Sequence, residues 1–179
     1  VVNAIAEAAK LIKNGYKEIV ITGIHLSSYG RDFNEDYGLI DLVEAICELD
    51  GDFRLRLGSL EPSTATRDFS QRISSLTKVC KHFHISMQSG SDSTLKRMNR
   101  KYTSIEYLGY LGNLREFNKN AAITTDIMVG FPGETDDDFA DSCDTVLRAE
   151  FADTHIFQFS PRVNTPADEY KPQVNGIIK

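Results

Sequence analysis

Glu61, Gln88 and Asp126 stand on or just past short apolar runs, where a charged or amide side chain has to find a partner. Asp126 belongs to Thr124-Thr125-Asp126-Ile127-Met128-Val129-Gly130-Phe131-Pro132-Gly133-Glu134-Thr135, which reads as a strand breaking into a Gly-Pro-Gly turn before an acidic helix. Other apolar runs end at Thr22-Gly23, at Ser59-Leu60-Glu61-Pro62, at Gln88-Ser89-Gly90 and at Ser160-Pro161-Arg162. Polar groups and glycines collected at the carboxyl ends of parallel strands are equipment for holding one shared ligand. Nucleophilic and metal chemistry are less well supplied. Cys47, Cys80 and Cys143 form no close pair and no ligand spacing, which describes buried reduced thiols, and no acid or oxyanion loop surrounds any of them. His82 and His84 share a strand face, but near the start of their strand, and His25 and His155 show no constellation, so no metal site is expected.

The elements that must position these groups alternate in type. Residues 1–14 carry a helical apolar face before Gly15, Glu18–Thr22 is a β-branched strand, and Leu39–Leu49 is a helix reached through a polar loop containing Gly23, Tyr29, Gly30 and Gly38. Strands follow near 53–57, 82–87, 122–129 and 154–159. Helices fall near 66–76, from Ser91, from Thr103 and from Thr135. Thr103 with Glu106 and Thr135 with Asp138 form capping boxes that satisfy free backbone N–H groups. Strands recurring with a crossover helix between them require a parallel sheet, as an open barrel or a doubly wound sheet.

With 179 residues, 41% hydrophobic and 26% charged, the chain has enough length for a sizeable core. No apolar run approaches the roughly 20 residues of a membrane span, and the expected compartment is cytoplasmic. A net charge of −6 argues against broad electrostatic grip on a phosphate backbone, although Lys96, Arg97, Arg100 and Lys101 form a local basic cluster.

The ordered motifs resemble those of the radical S-adenosylmethionine (SAM) methylthiotransferases. They comprise Gly15–Gly23 with Tyr29-Gly30, Ser59-Leu60-Glu61-Pro62, His84-Ile85-Ser86-Met87-Gln88-Ser89-Gly90-Ser91-Asp92, Leu95–Thr103, Asp126–Thr135, and Phe159-Ser160-Pro161-Arg162 with Thr165-Pro166-Ala167. The resemblance implies a partial open (β/α)6 TIM-like barrel with about five parallel strands over residues 1–162. Residues 163–179 would be a loop towards an RNA-binding domain. It also implies SAM beside a 4Fe-4S cluster in the intact parent, with tRNA as partner and no indication of oligomeric state. By the same resemblance Glu61, Gln88, Ser89, Arg100, Asp126 and Gly130 hold SAM, with Thr22 and Gly23 near its amino group. The charges suit that ligand: acidic acceptors for a ribose diol and an ammonium, and a guanidinium fork for a carboxylate.

One departure stands against this agreement. The CxxxCxxC motif that holds the family's cluster is missing, and none of the three cysteines matches a ligand position, so the expectation is a truncated barrel unable to cleave SAM alone. Gln88-Ser89-Gly90 resembles the tRNA branches, and Lys96–Thr103 most resembles the branch acting on threonylcarbamoyladenosine. Isopentenyladenosine, a ribosomal protein, or a noncatalytic nucleotide-binding or docking barrel are the alternatives.

Overall fold

In the computed structural model, residues 1–33 and 37–179 are described. Residues 34–36, part of the predicted polar loop, lie outside them. The chain runs α1 (Val2–Lys13), β1 (Glu18–Ile21), α2 (Leu39–Cys47), β2 (Arg54–Leu57), α3 (Arg67–Ser74), β3 (His82–His84), α4 (Asp92–Arg97), α5 (Ser104–Phe117), β4 (Ala122–Val129), α6 (Asp136–Ala149), β5 (Asp153–Gln158) and α7 (Pro166–Glu169). Every predicted strand and helix is present within a few residues. The short helix α7 is an addition inside the predicted terminal loop.

All paired strands are parallel and neighbours in space are neighbours in sequence: β1 with β2, then β3 with β4 with β5. Single bridges join the two groups, Leu55 with Val79 and Leu60 with Ile85, through hydrogen bonds such as Leu60 N–H to the His84 carbonyl at 2.9 Å. An uninterrupted order without a reversal is that of a barrel wall; a doubly wound sheet needs a switch point. The barrel alternative is therefore the one adopted.

The helix starts follow local chemistry. Thr103 Oγ1 accepts from the Glu106 N–H at 3.2 Å while Glu106 accepts from the Thr103 N–H at 2.7 Å, and Thr135 with Asp138 repeats the exchange at 3.1 and 3.0 Å. Asp41 accepts from the Gly38 N–H at 2.7 Å and so begins α2.

Strand alternation divides the wall into two faces. Phe83, Ile85, Met87, Ile123 and Ile127 are buried, in one core with Tyr107, Leu111 and Leu114 of α5. The Tyr107 hydroxyl donates to the Ile85 carbonyl at 2.7 Å, and burial raises its pKa. The opposite, inner face is polar. Glu18 accepts from Arg54 and Arg56, which lowers its pKa, first through the Arg56 hydrogen bond. Above them on neighbouring strands come His82, His84, Ser86, Thr124, Asp126 and His155. Among the described residues no helix is long and apolar enough to cross a membrane.

Candidate ligand site at the barrel mouth

Gln88 and Arg100 are brought together. They line one cleft of 480 Å3 with Met98, Met128, Phe131 and Tyr170, a volume within the range of about 300–1,000 Å3 common to small-molecule sites. Gln88 reaches it because its backbone takes a left-handed φ of 69°, a conformation uncommon outside glycine. Its N–H donates to the Asp126 carbonyl and its carbonyl accepts from the Met128 N–H, both at 2.8 Å, so the irregular residue remains stitched to β4.

Glu61 and Arg100 act on Tyr102 from opposite signs. Burial pushes the Tyr102 phenol up to about 12, with Arg100 opposing and Glu61 adding to the rise. The hydroxyl donates to the Met87 carbonyl at 2.9 Å and fixes the segment after α4 against the strand that ends at Gln88. Glu61 itself meets His25 Nε2 at 3.2 Å, and its N–H donates to Ser27 Oγ at 3.1 Å. The loop after β1 is thereby latched to the loop after β2, a use for His25 that its sequence position did not reveal.

The other predicted residues divide. Thr22 and Gly23 are exposed at the end of β1. Gly130 lies at a second cleft, of 730 Å3, between the β4–α6 turn and residues 172–179. Its N–H donates to Glu134, whose carboxyl pKa is raised by burial. Ser89 does not face the mouth: fully buried, it meets Ser142 Oγ of α6 at 3.2 Å and accepts from the Ser91 N–H at 3.2 Å. Its position shapes the turn after Gln88. Of the basic cluster, Arg97 is held by Asp138 at 2.9 Å and Lys101 by Asn99 at 2.7 Å, while Arg100 makes no ion pair among the described residues. Cys143 is exposed and Cys47 and Cys80 are half-buried, so the expected burial of all three thiols is corrected.

Asp126 directly precedes Ile127, the residue bridged to Gln88, and its backbone carbonyl accepts the Gln88 N–H. It receives His84 Nε2 at 3.1 Å, His155 Nδ1 at 3.3 Å and Ser86 Oγ at 3.3 Å. The expectation that His155 stands alone is thus overturned. The potential ligand atoms of His84, Asp126 and His155 lie within 4.8 Å of one another, as around a transition metal. The rings, however, stack at 22° with centroids 5.7 Å apart and address different carboxylate oxygens. Each ring nitrogen lies at hydrogen-bonding distance from its own carboxylate oxygen, which describes a hydrogen-bonded cluster.

Parallel strands in sequential order, an outer layer of helices and a polar inner face ending in a ligand-sized cleft define a partial TIM-like barrel. Residues 1–146 match the family described as the Radical SAM superfamily, and the chain belongs to it.

Among its relatives, Threonylcarbamoyladenosine tRNA methylthiotransferase MtaB of Thermotoga maritima is 44% identical over 161 residues, covering 90% of this chain and 37% of that protein. The tRNA-2-methylthio-N(6)-dimethylallyladenosine synthase of Alkaliphilus oremlandii is 39% identical over 179 residues, covering 100% and 38%. The chain therefore spans less than two fifths of the length of these curated relatives. In fold it is similar to the radical SAM methyltransferase TsrM of Kitasatospora setae (TM-score 0.68, 15% identity, 86% of this chain and 30% of that one). It is likewise similar to coproporphyrinogen III oxidase HemN of Escherichia coli (TM-score 0.65, 13% identity, 90% and 37%).

Proposed function

We propose that this chain is the SAM-binding barrel portion of a tRNA methylthiotransferase that places a methylthio group on C2 of N6-threonylcarbamoyladenosine next to the anticodon. The 44% identity to the MtaB-type relative carries the reading. On this proposal residues 1–162 are the barrel, 163–179 connect to an RNA-binding domain, and the protein works in the cytoplasm where tRNA is found.

The residues at the mouth fit SAM. Arg100 offers a guanidinium with no ion pair among the described residues, in the cleft of suitable volume that Gln88 also lines, and Glu61 supplies an acceptor across Tyr102. Thr22, Gly23 and Gly130 would border the same ligand, and Ser89 would set the turn that presents Gln88. When bound and reduced, SAM supplies a deoxyadenosyl radical. The described residues do not fit the 4Fe-4S cluster: no group of three cysteines comes together among them, and the reading assigns the cluster ligands to the rest of the parent. The chain alone should accordingly make no deoxyadenosine under reducing conditions.

Nucleoside mass spectrometry of total tRNA, with and without the parent gene, tests this function. Loss of the methylthio group from threonylcarbamoyladenosine is expected. Loss from isopentenyladenosine instead would move the protein to the branch of the Alkaliphilus relative, and unchanged tRNA would defeat the tRNA reading.

For the site, Arg100→Ala in the full-length protein should weaken S-adenosylhomocysteine binding by about tenfold to thirtyfold, the value of a charge-assisted pair of about 1.5–2 kcal/mol. Arg100→Lys should recover only part, because it lacks the planar fork. Calorimetry showing wild-type affinity in Arg100→Ala would remove Arg100 from the site.

A further inference from the structure

The inner-face histidines have a direction that the SAM site does not use. Burial, with Arg56 adding to it, lowers the His82 pKa and favours its neutral ring. His82 Nε2 lies 3.1 Å from Thr124 Oγ1, and the same oxygen lies 3.0 Å from His84 Nδ1. With His84 Nε2 spent on Asp126 at 3.1 Å, the contacts are satisfied by the following set of protons for neutral rings. The His82 Nε2–H donates to Thr124, the Thr124 hydroxyl donates to His84 Nδ1, and the His84 Nε2–H donates to Asp126.

The other Asp126 oxygen takes the His155 Nδ1–H at 3.3 Å. In the neutral ring this leaves His155 Nε2 as an acceptor, without a partner among the described residues. The His155 side chain is 62% exposed.

Phe157 follows two residues on, paired with Met128 as His155 is paired with Asp126, and therefore on the same inner face, its partner Met128 standing one residue beyond Ile127, which is bridged to Gln88. It is 40% exposed. An open aromatic ring beside a fixed acceptor is the pairing that receives a flat heterocycle bearing an N–H: the ring supplies a stacking surface and the acceptor selects the edge. The hydrogen bonds behind Asp126 hold that acceptor at a set angle.

We propose that the inner face of β5 seats the nucleobase to be modified, an adenine drawn out of its RNA, which stacks on Phe157 and donates an N–H to His155 Nε2. The inference rests on the tRNA reading above and extends it to particular residues. His155 and Phe157 position the substrate, and Asp126 belongs to this seat in place of the SAM site suggested by its sequence motif.

The test uses the full-length protein with an anticodon stem-loop RNA carrying the N6-modified adenosine, and measures KM for RNA, kcat, and S-adenosylhomocysteine affinity. His155→Asn keeps a polar atom near Nδ1 but removes the Nε2 acceptor, whereas His155→Gln places an amide oxygen near Nε2. His155→Asn and Phe157→Ala should each raise KM for RNA by about tenfold, His155→Gln by no more than about threefold, with S-adenosylhomocysteine affinity unchanged in all three. Unchanged KM in an otherwise active enzyme would overturn the seat alone. A parallel loss of S-adenosylhomocysteine affinity would overturn it too, by returning these residues to the SAM site. A wild-type protein that leaves the RNA unmodified defeats the tRNA reading and this inference with it.

Discussion

Asp138→Ala should lower the stability of the chain by about 3–4 kcal/mol, the usual scale for breaking a buried hydrogen-bonded ion pair, and its Tm by about 10 °C for a domain of this size. Asp138 is only 7% exposed on the first turn of α6. Its carboxylate accepts from Ser91 Oγ at 2.6 Å, from Ser93 Oγ, from the Thr135 N–H at 3.0 Å and from Arg97 Nη2 at 2.9 Å. One side chain thus joins the starts of α4 and α6, and removing it leaves the Arg97 guanidinium half-buried and unpaired. Burial alone would raise the Asp138 pKa, but the bonds from Ser91, Ser93, Thr135 and Arg97 outweigh it and hold the carboxyl well below its ordinary range. The sign follows from linkage. A depressed folded-state pKa gives stabilisation that is complete above the unfolded value of about 3.9 and disappears as pH falls through the folded value. Urea unfolding at pH 7 and pH 3 should show the gap between wild type and Asp138→Ala narrowing in acid. A gap independent of pH would assign the loss to packing and not to charge.

The order of elements was legible because the local signals agree with the tertiary arrangement. Thr103 with Glu106 and Thr135 with Asp138 announce helix starts, and the alternation of Phe83, Ile85 and Met87 with polar neighbours announces a strand with one buried face. Barrel and doubly wound sheet could not be separated by those signals, since both repeat strand and helix; the difference lies in which strands pair. Only the sequential pairing, bridged at Leu55–Val79 and Leu60–Ile85, decides it.

The same limit explains which site residues escaped notice. His84, Asp126 and His155 lie tens of residues apart, and they meet because the parallel register places His84 beside Thr124 and Asp126 beside His155. Alternation assigns His84 and Asp126 each to a polar face, but sequence carries no register, so His155 looked isolated. Ser89 failed for the opposite reason. It directly follows Gln88 in a polar turn, and nothing in its residue type shows that it packs against Ser142 of α6 while Gln88 lines the cleft.

Gly90 is where that turn and the packing of α6 meet. A Cβ built there would lie 2.7 Å from both the Ser142 backbone Cα and the Thr145 Cβ, with Thr145 Oγ1 at 2.9 Å. None of these is the far end of a flexible side chain, so Gly90→Ala must push α6 from the strand wall. The Gly90 N–H bond to Ser142 Oγ and the Thr145 Oγ1 bond to the Gly90 carbonyl, both at 3.1 Å, would lengthen as it moves. Overpacking of a rigid core together with two weakened buried hydrogen bonds predicts a loss of about 3 kcal/mol. Because Ser89 and Gln88 precede Gly90 in one stitched turn, S-adenosylhomocysteine affinity should fall along with stability. Gly23→Ala provides the comparison: nothing lies within 4 Å of its added Cβ, and the unfolding midpoint should stay close to wild type. Chemical denaturation of the two variants measures the difference directly. Equal midpoints would mean that α6 can yield at Ser142 without cost, and that the turn presenting Gln88 does not depend on the close approach of the helix.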